Sequence, residues 1–145
     1  MSAPVALSPR ERLPLRRRVL PLLAVGAGRL LSRARPARLR RVLEFARRRA
    51  TPATAEQARA ARSDVVSVSL RCAGQGCLQR SIATALLCRM RGTWPTWCTG
   101  VRTHPFAAHA WVEVDEVPIG EPYPKGHYKP MLAVPPVAAE VAEEG

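Results

Sequence analysis

The chain has 145 residues, and 47% of them are apolar. That is enough for one domain with a real core, too little for two ordinary ones, and too apolar for a disordered protein. The net charge of +12 is unevenly spread: residues 1–62 carry 16 Arg against Glu11, Glu44 and Glu56, while residues 63–145 carry seven basic and eight acidic side chains.

Residues 1–10 hold two prolines and are expected to be loose. Residues 15–31 and 37–49 read as two helices split by RARPAR, where Pro36 interrupts the pattern. The stretch RRRVLPLLAVGAG, residues 16–28, has the basic and then apolar order of a short signal peptide. Arg29, Arg33 and Arg35 follow at once, however, and the apolar run is well short of the ~20 residues that span a bilayer. A cytosolic helix, docking on a partner or a membrane surface, is the better reading. In the second helix Leu39, Val42, Leu43, Phe45 and Ala46 form an apolar stripe with arginines opposite. Residues 1–62 are therefore expected to be a basic helical front that docks an acidic partner surface.

Thr54 with Gln57 three residues later is a capping box, so a helix is expected over about 55–70. After the Gly-rich RCAGQG a strong helix is expected over about 77–91, with Leu78, Ile82, Ala85, Leu86 and Met90 on one side and Gly92 as its stop. The period then changes to two. PTWCTGVR (95–102) and AHAWVEV (108–114) alternate as strands, the latter with His109, Trp111 and Glu113 on one face. Asp115-Glu116 makes a tight turn, VPIGE returns, and YKPMLAVPP adds a short edge strand. Helices followed by strands imply an α+β fold, a helix packed on a small antiparallel sheet, with a core domain over 63–136 and a disordered tail over 137–145.

The four cysteines are Cys72, Cys77, Cys88 and Cys98. Their gaps lack the close pairs of a zinc site, and a secreted disulfide scaffold would be shorter and richer in cysteine. They read as reduced thiols of a cytoplasmic protein, and no cofactor or metal is expected. Cys88 and Cys98 lie inside a helix and a strand and read as packing. Cys77 differs because it opens a helix, where unpaired N–H groups and the macrodipole favour a thiolate. Taken alone, its stretch fits a buried cysteine better, since unpaired buried Cys is common.

A thiol nucleophile also needs a base. His104 and His127 lie in loop-like stretches, whereas His109 stands on the alternating strand. A Cys at a helix N-terminus facing a His on an adjacent strand is the geometry of a cysteine hydrolase. Glu113, Asp115 and Glu121 are available to orient the base. With a two-residue turn at Asp115-Glu116, Val112 pairs with Ile119, and Glu121 falls opposite Ala110, away from His109. A bulge at Gly120 would turn it onto the face of His109. Gln75 is a weak candidate oxyanion donor, and Arg80 a weak candidate for holding an acidic substrate group or a loop carbonyl. Trp111, on the face of His109, is a weak candidate for lining a substrate site.

The pair CLQRSIATALLCRMRG and GVRTHPFAAHAWVEVDEVPIGEPY, with His109 32 positions after Cys77, closely resembles the lasso peptide biosynthesis leader peptidases. These are a branch of the transglutaminase-like cysteine protease superfamily. The resemblance covers about residues 72–136, a little under half the chain. It implies a transglutaminase/papain-like core in which Cys77 is the nucleophile and His109 the base. The third member, usually an Asp twelve residues after the His, is Glu121 here. The implied activity is hydrolytic removal of the leader from a ribosomally made precursor peptide, so that a separate ATP-dependent cyclase can close the macrolactam ring. The implied partners are the precursor, that cyclase, and a separate leader-recognition protein, because the chain looks like the protease half of the split form. Two other readings stand beside it. One is a transglutaminase-like amidase or acyl transferase on another substrate. The other is an Arg-rich nucleic-acid-binding module, against which stands the lack of any helix-turn-helix, zinc or RNP signature.

Overall fold

Proline sets where the first two helices begin. In the computed structural model, which describes residues 13–69, 72, 74 and 76–137, Pro14 caps helix α1 (Leu15–Leu31) and Pro36 is the first residue of helix α2 (Pro36–Ala46). A proline there has no N–H to lose and a φ already fixed for the helix, so Pro36 starts a helix as well as separating two. The second helix stops short of the expected 49, because Arg49 turns left-handed at φ 63°. The expected loose start, and the expected tail apart from Val137, lie outside the described residues.

Helix α3 (Ala55–Val68) opens with the expected capping box: Gln57 N–H donates to Thr54 Oγ1 at 3.1 Å, and Thr54 N–H donates to Gln57 Oε1 at 2.9 Å. Helix α4 (Cys77–Met90) ends where Gly92 takes φ +90°. Six strands follow the helices or link them: β1 (Thr51–Pro52), β2 (Thr93–Trp94), β3 (Thr96–Thr103), β4 (Phe106–Val114), β5 (Val117–Pro118) and β6 (Lys129–Val134). The four-stranded sheet is antiparallel with order β5-β4-β3-β6, and β1 and β2 form a separate parallel pair. Asp115 and Glu116, at φ 51° and 66°, make the two-residue turn whose twist suits a hairpin.

The nucleophile-bearing helix of the sequence reading is the central element. Its Ile82 and Ala85 face the sheet cluster of Trp94, Trp97, Val112, Ile119 and Val134, together with Leu39 and Leu43 of α2. Its Ala83, Leu87 and Cys88 face a second cluster made by Ala24 of α1 and Ala61 and Val65 of α3. A helix covered on two sides needs no sharp amphipathic stripe. Met90, expected on the buried side, is 43% exposed, since the chain turns away toward β2 directly after it. Trp97 is fully buried and its indole N–H donates to Ser81 Oγ at 3.0 Å, which ties β3 to the first turns of α4.

Two close approaches set the site. At Gly100, opposite His109 in the β3–β4 register, an added Cβ would lie 2.5 Å from the Lys129 carbonyl oxygen and 2.7 Å from the Trp111 ring. Only glycine lets the indole lie over β3. At Gly28, an added Cβ would lie 3.0 Å from the Gln79 carbonyl oxygen and 3.2 Å from Ala83 N, so α1 and α4 touch backbone to backbone.

Candidate active site

Cys77 is the first residue of α4, and Gly76 before it offers no side-chain cap. The N–H groups of a first turn have no partner within the helix, so this end carries partial positive charge at the thiol. The side chain is partly exposed, unlike those of Cys72, Cys88 and Cys98, which are buried. Burial pushes Cys88 up to about 11, and it pushes Cys98 up strongly, with Glu113 adding to the rise. These two stay protonated and inert, as packing cysteines do.

At Cys77 the balance reverses. Burial raises the thiol, but the hydrogen bond with His109, the Ala110 backbone, and the charges of His109 and Arg80 together outweigh it, and the thiol ends below its ordinary value. Burial likewise lowers His109, yet its bonds to Cys77 and Glu121 raise it to about 9. The imidazole Nε2 lies 3.1 Å from Glu121 Oε2, which leaves Nδ1 for the thiol. A thiol lowered beside an imidazole that is raised is the arrangement that favours a thiolate–imidazolium pair.

Glu121 reaches His109 by a route the register alone hides. The ladder holds as expected through Val114–Val117, and Ile119 N–H donates to the Val112 carbonyl at 2.9 Å. The chain then leaves the sheet. Gly120 takes φ +67°, a left-handed turn that sends the next side chain to the face of the imidazole. The expected bulge within a continuing strand is thus a turn at the strand's end. Burial raises the Glu121 carboxyl, but His109, Arg80 and Arg62 together hold it below the usual carboxylate range. Arg80 Nη2 lies 3.7 Å and Arg62 Nη2 4.0 Å from Oε1, and the Glu121 side chain is 4% exposed.

The other sequence candidates fall as follows. Arg80 is buried, and its Nη1 donates to the carbonyls of Cys72 and Gly74, both at 3.1 Å. It holds the Cys72 and Gly74 carbonyls ahead of α4 and the Glu121 carboxylate, which takes up the donors an acidic substrate group would need. Trp111 is 5% exposed, its ring stacks on His109 at 5.9 Å and 12°, and its N–H donates to Glu113 Oε2 at 3.0 Å. Gln75 lies outside the described residues. His104 is exposed, and His127 sits 3.0 Å from Arg102 Nη1. Sequence reasoning missed Arg62, Tyr123 and Tyr128. Tyr128 stacks on His109 at 5.1 Å and Tyr123 meets it edge-on at 5.3 Å, so the imidazole is walled by three aromatic rings. The alternation of Pro and Tyr in EPYPKGHYKP was the available signal, since a proline-stiffened loop carrying aromatics packs them inward.

Two grooves meet at the thiol. One, of about 290 Å³, is lined by Leu78, Val101, Ala108, Ala110 and Met131. The other, of about 580 Å³, runs toward the end of α1. A bound acyl compound can therefore lie across Cys77 with one flank on each side.

The pair predicts a specific titration. Alkylation of Cys77 by iodoacetamide should already be fast below the ordinary thiol pKa of ~8.5, while Cys88 and Cys98 stay unlabelled. Chemistry that also needs the imidazolium should fall as pH rises through about 9, where His109 loses its proton. Peptide mapping of labelled protein across pH checks the first expectation; a labelling midpoint at or above that of a free thiol would sink it.

No helix among the described residues is long and apolar enough to cross a membrane. Neither a curated protein nor a solved structure matches the chain. Residues 21–133, from within α1 to the end of β6, match the family described as the Transglutaminase-like superfamily. With that match over most of its length, and a thiol, an imidazole and a carboxylate converging at the head of its central helix, the chain belongs to the transglutaminase-like superfamily, which covers cysteine peptidases and acyltransferases.

Proposed function

We propose that this protein is a cytoplasmic cysteine peptidase that removes the leader from a ribosomally made lasso peptide precursor. The observation that carries the peptidase reading is the line Cys77–His109–Glu121, with the 3.1 Å His109–Glu121 contact and a thiol held below its ordinary value beside open grooves. The substrate class rests on the likeness of CLQRS and AHAWVEV, at their 32-residue spacing, to the leader peptidases.

The chemistry proceeds by acyl transfer. The Cys77 thiolate attacks the carbonyl carbon of the leader–core bond, and the oxygen takes the negative charge. The Cys77 N–H, at the uncapped head of α4, is the donor placed to stabilise it. As the C–N bond breaks, the His109 imidazolium gives its proton to the leaving amine. A water then attacks the thioester, His109 takes one of its protons, and the thiolate leaves. Glu121 keeps the imidazole oriented and charged. Arg80 and the rings of Trp111, Tyr123 and Tyr128 hold these parts in place. The freed core amine passes to the ATP-dependent cyclase, and a separate leader-recognition protein delivers the precursor, with the arginine-rich front as its docking surface.

The test is incubation with the precursor peptide, with and without the recognition protein, followed by mass. Two fragments whose summed mass exceeds the precursor by one water are expected, faster with the recognition protein present. An intact precursor under both conditions overturns the reading. A product carrying an added amine instead of water moves the protein to the acyl transferases.

A further inference from the structure

The larger groove at Cys77 is lined by Arg29, Ser32, Arg33, Gly76, Leu78 and Gln79 besides the thiol. No carboxylate is among these described residues. Arg29 and Arg33 are exposed, and neither has an acidic partner among the described residues. Gln79 spends its amide on the Val25 carbonyl at 3.4 Å, and Ser32 Oγ donates to the Arg29 carbonyl at 2.7 Å. Among the described residues, the charged side chains of this groove are therefore two guanidinium groups. Arg29, in the last turn of α1, also suits the helix dipole. Arg33 lies past the helix end, where that account does not reach.

Their position is fixed by packing. The Gly28 contact presses α1 onto the Gln79–Ala83 turn of α4, so the end of α1 cannot slide away from the thiol. Arg29 is thus carried on a helix in backbone contact with the helix that bears the thiol, and Arg33 on the turn that directly follows α1. The opposite groove is built from Leu78, Val101, Ala108 and Met131 and, among the described residues, carries no charged side chain besides the Cys77–His109 pair itself. The cleft is thus asymmetric about Cys77, cationic on one flank and apolar on the other.

We propose that Arg29 and Arg33 form an anion subsite that takes an acidic side chain of the peptide substrate within about three residues of the bond Cys77 attacks, the span (~10 Å at ~3.4 Å per residue) of extended chain that a groove of this size holds. This deepens the peptidase reading and rests on it. The paired guanidinium groups can grip a carboxylate with forked hydrogen bonds, and the neighbouring N–H groups of α4 keep the flank positive. The subsite sets which bond of a precursor is cut, as distinct from the docking that delivers it.

The probes are short peptides carrying a thiol-reactive group, a vinyl sulfone at the C-terminus or a chloroacetyl at the N-terminus, each made with Glu or Gln at the first, second or third residue from the reactive group. Cys77 labelling is followed by intact mass. For one orientation and position the Glu probe should label wild type about tenfold faster than its Gln twin, the effect of one gripped carboxylate. The ratio should shrink at high salt and collapse toward one in the exposed double variant Arg29→Gln/Arg33→Gln. Each protein is compared with itself, so any change in thiol reactivity cancels. Equal labelling by Glu and Gln probes throughout, or a preference that survives the double substitution, overturns the subsite while leaving the peptidase reading intact. Failure of every probe and of iodoacetamide to label Cys77 would overturn both.

Discussion

Cys77→Ala is expected to abolish leader cleavage, a loss of at least ~10⁴-fold, as when the nucleophile of a hydrolase is removed. The fold should survive it. The side chain sits at a helix terminus on an open groove, so truncation leaves no closed cavity. It also removes a thiolate that the surroundings hold against burial, and relieving such a functional constraint is often neutral or stabilising. The melting temperature should therefore stay within a few degrees of wild type while the precursor remains whole. Appreciable residual cleavage by the variant would remove Cys77 from the nucleophile's role. Loss of activity together with collapse of the melting transition would show only that the variant is unfolded, so Cys77→Ser, which keeps the volume, serves as its companion.

Glu121→Gln should cost roughly 10²–10⁴-fold in kcat/KM, the scale seen when a histidine loses its orienting charge but not its hydrogen bond. Three effects compound. The imidazolium loses the carboxylate 3.1 Å from its Nε2, so His109 falls from about 9 toward its ordinary value. With less positive charge on His109, the thiol climbs back up. Arg80 and Arg62 are left facing a neutral amide, and a buried cation deprived of its counter-ion is expensive. The variant should thus be less stable, and its alkylation curve should move to higher pH, a readout that mere loosening of the loop would not give. Glu121→Asp keeps the charge but shortens the reach by one methylene, and should fall between wild type and the amide. A Gln variant with an unshifted alkylation curve would show that Glu121 does not sustain the pair.

The parts of this site legible from sequence were those set by local rules. Thr54 and Gln57 announce their capping box within one turn, Gly92 announces a helix stop, and two residues between alternating strands announce the hairpin at Asp115-Glu116. Cys77 at a helix start and His109 on a strand follow from the same local signals. The rest depends on contacts between distant segments. Arg62 meets Glu121 across 59 positions, and nothing in its own helix distinguishes it from the other arginines of the front. Helix α4 lies between two apolar clusters, so its period did not reveal that α1 covers its far side. The front was expected to be a docking surface apart from the core; Ala24, Leu39 and Leu43 are buried in the clusters around α4, and docking on the arginine face remains a proposal. For Glu121 the face was decided by one backbone angle, the φ of +67° at Gly120, a value that alternation cannot encode.

The two guanidiniums behind the carboxylate, Arg80 buried and Arg62 partly so, set the electrical balance of the whole reaction. With the proton moved from Cys77 to His109, the site holds three positive groups, Arg62, Arg80 and the His109 imidazolium, and two negative ones, Glu121 and the Cys77 thiolate, a surplus of one positive charge. When sulfur bonds to the carbonyl carbon it becomes neutral, and the oxygen takes up the same unit of negative charge. The sum does not change. The attack relocates a charge over a few ångström inside a fixed shell instead of creating one in a dry cavity, so little of the surroundings has to repolarise as the bond forms.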